Sequence, residues 1–330
     1  MVHSGHELGV PTPTAPLGGP VRLPILHSGP GLRLAASDGE PIPTTRAGPD
    51  GPLGSVPAPL TVLDQENLEV GVPNVARIYD ALLGGKDNFA ADRQAAARLL
   101  DAVPGAAVAA RENRAFLGRA VRFLADDAGI RQFLDIGAGL PTARAVHEIV
   151  HGCVPMARVV YADNDPAVIR HAEAMLGRAS GADAVRADLR RPRDLLSYLT
   201  WRYLIDLAQP VAVLLVAVLH FVEDREDPWA IVNFFKDQIA PGSFLVISHV
   251  TADHLPPGAA RGAREAYAGA SAAGVARTRE QIARFFGGLE MVSPGLVNVS
   301  GWRPGHLGPQ PSPAVFYAGI GRKSLAGRPR

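Results

Sequence analysis

Apolar residues in the first patterned part of the chain, residues 64–128, recur at the spacing of helices. Ile78 and Leu82 fall on one face of a first helix. Two further amphipathic helices follow, the first ended by Pro104 and the second by Gly129. These spacings predict a layer of helices ahead of the first strand.

From residue 131 onward, short aliphatic segments alternate with helical ones. The aliphatic segments predict strands at 131–138, 157–165, 183–189, 210–221, 242–250, 296–302 and 314–323. The segments between them predict helices at 141–152, 166–177, 192–207, 227–239 and 278–286. This alternation predicts an α/β fold with a doubly wound sheet that is parallel through its first five strands. In such a sheet a ligand binds at the carboxyl ends of the strands.

Residues 1–60 carry neither pattern and are crowded with proline and glycine. A segment of this composition buries too little apolar surface to offset the entropy lost on ordering. We therefore predict a disordered tail followed by one domain at 64–323. The helical part, 64–128, would form a lid or cap, and 131–323 would form the core.

Composition excludes several classes of protein. The formal net charge is +1, which provides no field for nucleic acid or for a membrane surface. The longest apolar segment, 211–222, is too short to span a bilayer, and the N-terminus lacks a secretory signal pattern. One cysteine, Cys153, excludes an intrachain disulfide, and the scattered histidines form no metal motif. A cytoplasmic protein without a metal is expected, and no pattern indicates its oligomeric state.

A glycine turn follows the first strand, which ends in Asp135 and is followed by Gly137 and Gly139. A dinucleotide-binding turn would carry a third glycine where Thr142 stands, and an acidic residue about 20 residues further on. The candidate acid, Asp163, lies 26 residues after Gly137. A carboxylate before the glycines would also repel a pyrophosphate, but it suits a ligand with a cationic amino-acid part. These features favour S-adenosylmethionine over a nicotinamide dinucleotide.

Several strings resemble a known family. FLDIGAG, VVYADNDP, RADL and VLLVAVLHFV, in this order, resemble the class I S-adenosylmethionine-dependent methyltransferases. The string PNVARIYDALLGGKDNFAADR is similar to the hallmark of an actinobacterial S-adenosyl methyltransferase family, formerly a domain of unknown function. The resemblance covers 64–323. It implies an enzyme that uses S-adenosylmethionine, with a Rossmann-like, seven-stranded, mostly parallel sheet, an antiparallel C-terminal strand and helices ahead of it.

The resemblance also implies places for the cofactor-binding residues of the first two strands. Gly137 and Gly139 would form the turn under the methionine part of the cofactor, and Asp135 would lie near its amino group. Asp163 would accept hydrogen bonds from the ribose hydroxyls, with Asn164 beside it. Capping of the next helix is the alternative role for Asp163.

Residues of the third and fourth strands complete the implied site. Asp188, followed by Leu189, would approach the adenine amino group, although it could instead be a surface turn residue. Ala217 and His220, at the end of the fourth strand, would face the methyl group. His220 could equally be a satisfied core histidine.

The string GGKDN, at 84–88, separates the first two predicted helices. We predict that the glycines break the helix so that Lys86, Asp87 and Asn88 turn inward to the cofactor mouth, with Tyr79 on the preceding helix. The segment would then be a lid that excludes water and orients the acceptor. The alternative is a helix C-cap followed by a turn that only joins two helices.

These residues predict methyl transfer to a small-molecule oxygen or nitrogen acceptor. His220, Tyr79 and Asp87, in that order, are the candidate bases. Segments 64–125 and 251–276 would build the acceptor pocket.

A non-catalytic regulator that binds S-adenosylmethionine, and less strongly an NAD(P)-dependent oxidoreductase, remain alternatives. No tyrosine has a lysine four residues on, which counts against the oxidoreductase, and the motif of nucleic-acid methyltransferases is absent after the fourth strand.

Overall fold

The computed structural model describes five segments of the chain. They are residues 70–141, 144–177, 181–255, 258–304 and 315–325. The tail expected at 1–60 and Thr142 lie outside the described residues.

Within these segments eight strands form one mixed sheet. They are β1 (Gln132–Ile136), β2 (Arg158–Asp163), β3 (Ala182–Arg186), β4 (Ala212–Val216), β5 (Phe244–Val250), β6 (Glu290–Met291), β7 (Val297–Asn298) and β8 (Phe316–Arg322). The order is β3-β2-β1-β4-β5-β8-β6, with β7 also paired to β8. The first five strands are parallel and β8 runs antiparallel to β5, as predicted. The two-residue strand β6 was not predicted, because so short a segment carries no periodic pattern.

Both faces of the parallel strands are covered, and this explains their continuous apolar sequences. Successive side chains of β1 enter opposite cores: Phe133 packs in the core that contains α3, and Leu134 packs in the core that contains α6 and α7. Leu134 is level with Val160 of β2 and Val213 of β4. The register therefore brings the carboxyl ends of these strands to one edge.

Helices cover the sheet and precede it. They are α1 (Val75–Leu83), α2 (Ala90–Ala102), α3 (Ala106–Arg122), α4 (Val146–Cys153), α5 (Pro166–Leu176), α6 (Pro192–Trp201), α7 (Pro228–Gln238), α8 (Ala259–Ala266) and α9 (Arg279–Ala283). Side chains cap the starts of α7 and α9: the Asp227 carboxylate accepts from Ala230 N, and Thr278 and Gln281 form a capping box. In the described part of the chain, no helix is both long enough and apolar enough to cross a bilayer.

Some element boundaries differ from prediction. The apolar segment predicted as strand 210–221 is a strand only over β4, and Leu219–Phe221 is a separate 3-10 turn. Continuous apolarity reports burial, but it does not distinguish an extended chain from a buried turn. The helix predicted at 141–152 begins at Val146, where the Glu148 carboxylate accepts from Ala145 N.

The GGKDN segment is a turn built around Asp80. Gly84 ends α1 in the left-handed conformation, with φ of 79°. The Asp80 carboxylate accepts from Asp87 N at 3.0 Å and from the Asn88 side-chain amide at 2.8 Å. A Cβ on Gly85 would overlap this carboxylate, which explains the second glycine. The joining-turn interpretation therefore describes the local structure.

A buried ion pair joins α1 to α2. The Asp92 side chain is fully buried and accepts from Arg77 Nε at 2.8 Å. It also accepts from the backbone N–H groups of Asn74 and Phe89, each at 2.8 Å. The carboxylate thus satisfies backbone donors at the starts of both helices.

Substitution Asp92→Asn should reduce the free energy of unfolding by about 3–5 kcal/mol, because it removes the carboxylate that compensates the buried Arg77 charge. Urea denaturation measures the change. Asp194→Asn is the matched control, since Asp194 pairs with Arg191 on the surface, where such a change alters stability by about 0.5 kcal/mol or less. Equal losses in the two variants would contradict the role given to Asp92.

Candidate functional site

A cavity opens at the carboxyl edge of the sheet, and α1 and α3 cover it. The sequence-predicted cofactor residues that line it are Asp135, Gly137, Gly139, Asp163, Asn164, Asp188, Leu189 and Ala217. Tyr79 and Asp80 of α1, and Asn113 and Arg114 of α3, line the other side. The residues that the sequence placed after four different strands therefore share one cavity.

The glycine turn after β1 requires glycine for two reasons. Gly137 and Gly139 have φ of 69° and 66°, in the region that other residues rarely adopt. A Cβ on Gly137 would also lie 2.7 Å from the Cβ of Val218, after β4. The backbone of the turn thus packs directly against the residues that follow β4.

Asp163 connects the turn after β1 to the turn after β2. One carboxylate oxygen accepts from Gly139 N and the other from Asp165 N, each at 3.0 Å. Burial raises the pKa of Asp163 to about 6, and these backbone hydrogen bonds oppose the rise. Each oxygen keeps a further lone pair for a ligand donor. Capping of α5, the alternative role considered for Asp163, belongs to Asp165, which accepts from Ala167 N at 2.7 Å.

Asp135 is a buried carboxyl group in the floor of the cavity. Burial raises its pKa to about 7, the positive charge of Arg114 opposes the rise, and the nearby charge of Asp163 adds to it. A cationic ligand group would stabilise the ionised form of Asp135 and thereby recover part of the cost of burial.

The other predicted residues at the strand ends differ in burial and in the hydrogen bonds that they already make. The partly exposed Asp188 carboxylate accepts from Arg190 Nε at 2.9 Å. Arg190 also lines the cavity, so a ligand that contacts Asp188 meets this ion pair and not a lone carboxylate. Leu189 is buried beside it. Ala217 has φ of 56°, an uncommon value for alanine, and its N–H donates to Ser248 Oγ at 3.0 Å. Strain of this kind is typical of binding sites.

Asn113 is a site residue that the sequence analysis missed. Its Nδ2 donates to the Tyr79 hydroxyl, which donates to Ala110 O, each at 3.0 Å. This chain of bonds orients the amide and leaves Oδ1 buried without a partner in a residue that lines the cavity. A buried acceptor without a donor is costly, and a ligand donor would satisfy it. Its position among helical alanines gave no signal in the sequence.

The structure does not bring the GGKDN side chains into the cavity lining. Lys86 and Asp87 are exposed, and Asn88 is buried against Asp80, because the turn closes on that carboxylate. The prediction that these three residues turn inward to the cofactor mouth, with Asp87 as a base, is therefore corrected. Tyr79, one turn back on the helix, does line the cavity.

His220 lies beside a second cavity instead of the first. It belongs to the 3-10 turn after β4, so its side chain departs from the strand direction on which the prediction rested. Burial, together with the proximity of His249 and Arg277, holds the pKa of His220 well below 6.5. The imidazole is therefore neutral at physiological pH.

The second cavity has a volume of about 150 Å³ and an apolar lining. Its walls come from α1, α2, α3 and α8 and from the segments around β5 and residues 274–276. Tyr79 and Phe221 line both cavities and so stand between them.

The affinity for S-adenosylmethionine, the cofactor that the sequence resemblance implies, should depend on pH through Asp135. With a pKa of about 7 the carboxyl group is increasingly protonated below neutrality, and the protonated form loses its attraction for an ammonium group. We expect affinity to fall about eightfold between pH 7.5 and pH 6 in calorimetric titrations. Asp135→Asn should bind more weakly and lose most of this dependence, and Asp163, with a pKa of about 6, accounts for the remainder. An unchanged pH slope in that variant would contradict the assignment.

Removal of the unpartnered acceptor of Asn113 should weaken cofactor binding. One hydrogen bond of ordinary strength corresponds to about a tenfold loss in affinity for Asn113→Ala. Val108→Ala, on the exposed side of the same helix, is the control and should bind as the wild type does. Equal affinities of the Asn113 variant and the wild type would remove Asn113 from the binding site.

Comparisons with known proteins agree with this geometry. The family model described as S-adenosyl methyltransferase matches residues 62–324. A crystal structure of a proposed methyltransferase from Thermobifida fusca is 42% identical, with a TM-score of 0.73, and the match covers 80% of this chain and 100% of that one. A DUF574 family protein from Streptomyces avermitilis is 37% identical, with a TM-score of 0.72 and coverages of 76% and 98%. The search of curated proteins found no match.

The family match covers most of the chain and coincides with the domain that carries the glycine turn and the two cavities. This protein belongs to the S-adenosyl methyltransferase family, with the fold of the class I S-adenosylmethionine-dependent methyltransferases.

Proposed function

We propose that this protein transfers the methyl group of S-adenosylmethionine to an oxygen or nitrogen atom of a small molecule. One observation carries the proposal: the cavity at the carboxyl edge of the sheet adjoins a second, apolar cavity across Tyr79 and Phe221. A methyltransferase needs two adjacent sites, one for the cofactor and one for the acceptor.

The residues of the first cavity fit the cofactor. S-adenosylmethionine carries an ammonium group and ribose hydroxyl groups, all hydrogen-bond donors, and the cavity holds two buried carboxyl groups that can accept from them, Asp135 and Asp163. The unpartnered Oδ1 of Asn113 is an additional acceptor. Beside Gly139, no atom lies within 4 Å of the position that a Cβ would occupy, so a ligand can approach the backbone closely there.

Each of these residues has a proposed role toward the cofactor. Asp135 and Asn113 would hold the ammonium group, and the free lone pairs of Asp163 would accept from the ribose hydroxyls. Leu189 offers an apolar contact to the adenine ring. When bound, S-adenosylmethionine supplies an activated methyl carbon, so the protein mainly supplies position and electrostatics.

The helices ahead of the sheet have a proposed role as a cap. Tyr79 and Leu83 of α1, and Asn113 and Leu117 of α3, line the cofactor cavity from the side opposite the sheet. A cover of this kind excludes water from the reacting groups and strengthens the electrostatic interactions there. We assign the cover of the cofactor cavity to α1 and α3, because the GGKDN side chains do not line this cavity.

Calorimetric titration with S-adenosylmethionine, S-adenosylhomocysteine and NAD tests the proposal. We expect the first two to bind the wild type and to bind Asp163→Ala at least tenfold more weakly, since that variant loses both the ligand acceptor and the clamp on Gly139. Asp183→Ala, an exposed carboxylate on β3, is the control and should bind normally.

Binding of NAD alone would contradict the proposal. Binding of S-adenosylmethionine without formation of S-adenosylhomocysteine, in the presence of any acceptor tried, would favour a regulator that uses the cofactor as a signal.

A further inference from the structure

We propose that the second cavity is the acceptor site and that it takes an uncharged molecule with one aromatic ring and a hydroxyl group, which bonds to His220. The inference rests on the proposed function, because it treats the molecule in this cavity as the methyl acceptor. It goes further in naming the chemical class of the substrate and the side chain that recognises it.

The lining of the cavity excludes charged substrates from its interior. Leu82, Leu99, Val103, Val250 and Phe316 are among the apolar side chains that form it. The charged lining residue in the described part of the chain is Arg264, whose side chain is exposed at the rim. An apolar cavity of about 150 Å³ is the size that accepts a benzene ring.

His220 provides a buried ring nitrogen, Nδ1, that lacks a partner. Its Nδ1 is buried and has no hydrogen bond within the described structure. Because the ring is neutral, Nδ1 either accepts or donates, depending on the tautomer. A hydroxyl group satisfies either form, whereas a carbonyl oxygen satisfies only one.

The surroundings of His220 hold it in place. The Arg277 guanidinium donates to Leu219 O at 3.1 Å and to Val222 O at 2.8 Å, on the two sides of the turn. Val275 N donates to His220 O at 2.8 Å. His249 accepts from Arg277 at 2.8 Å and donates from Nδ1 to Val250 O, so its ring is committed elsewhere. His220 therefore keeps its free nitrogen in a fixed position.

The charge of Arg277 also selects against a cationic acceptor. This guanidinium is almost fully buried, and its charge contributes to the low pKa of His220. An ammonium group near His220 would meet the same repulsion. An anionic acceptor would lose its hydration on entering the apolar cavity and would find no cation there to compensate, so its binding would be unfavourable.

Transfer would occur between the rings of Tyr79 and Phe221, which line both cavities. The acceptor oxygen bonds to the methyl carbon as the carbon–sulfur bond breaks, the electron pair of that bond stays on sulfur, and the hydroxyl proton passes to His220 Nδ1. The positive charge lost at sulfur reappears on the imidazole, so the total charge of the site does not change. This balance makes proton acceptance by a histidine of low pKa feasible.

Probe binding tests the inference without relying on turnover. The full chain, saturated with S-adenosylhomocysteine, is titrated with 4-methylphenol, toluene and 4-methylbenzoate. We expect 4-methylphenol to bind about tenfold more tightly than toluene, because of one hydrogen bond, and 4-methylbenzoate to bind most weakly. His220→Leu should remove the preference for the phenol, and His220→Asn, whose amide lies near the position of Nδ1, should keep part of it.

A second variant protects the test against misfolding of the His220 variants. Ala263→Leu, on α8, fills the cavity from a partly exposed position and should weaken all the probes while S-adenosylhomocysteine still binds. Equal binding of phenol and toluene by the wild type, or an unchanged preference in His220→Leu, would overturn the inference alone. Failure of S-adenosylhomocysteine to bind the wild type would instead overturn the proposed function.

Discussion

The cover on both faces of the parallel strands is the constraint on which the site depends. Helices and the two apolar cores occupy the faces, so the carboxyl edge is the place where backbone and polar side chains can meet a ligand. Asp135 and Asp163 end adjacent strands at this edge and are almost fully buried there. Their raised pKa values express the cost of that burial. Under the proposed function, the ammonium group and ribose hydroxyls of the cofactor would offset this cost, and this gain would contribute to the affinity of the site.

Local periodicity was sufficient to predict much of this arrangement. The alternation of strands and helices indicated the parallel sheet, and the residues after β1, β2 and β3 were placed at the edge where the cavity lies. This worked because strand ends and glycine turns are determined by short sequence segments. The prediction failed after β4, because the unbroken apolar sequence gave no sign of the 3-10 turn that it forms. This turn places His220 beside the second cavity instead of the first.

Two other features depended on contacts distant in sequence. Asn113 acquires its role from Tyr79, 34 residues away, and nothing in its own helix distinguishes it from a surface asparagine. The polar residues of GGKDN looked like ligands, but Asn88 and the backbone of Asp87 bind Asp80. Whether a polar side chain serves a ligand or the fold is decided by partners that the local sequence does not reveal.

The two cavities draw on different parts of the chain. Strand ends and their turns supply most of the first, whereas the helices before the sheet and the segment 250–276 supply most of the second. Substitutions in α2 and α8, which line the second cavity but not the first, can therefore reshape the second cavity while the lining of the first stays the same. Related proteins could therefore use the same methyl donor and differ in the molecule that they methylate, through sequence changes in these helices. The Tyr79 and Phe221 positions, shared by both cavities, would tolerate the least change.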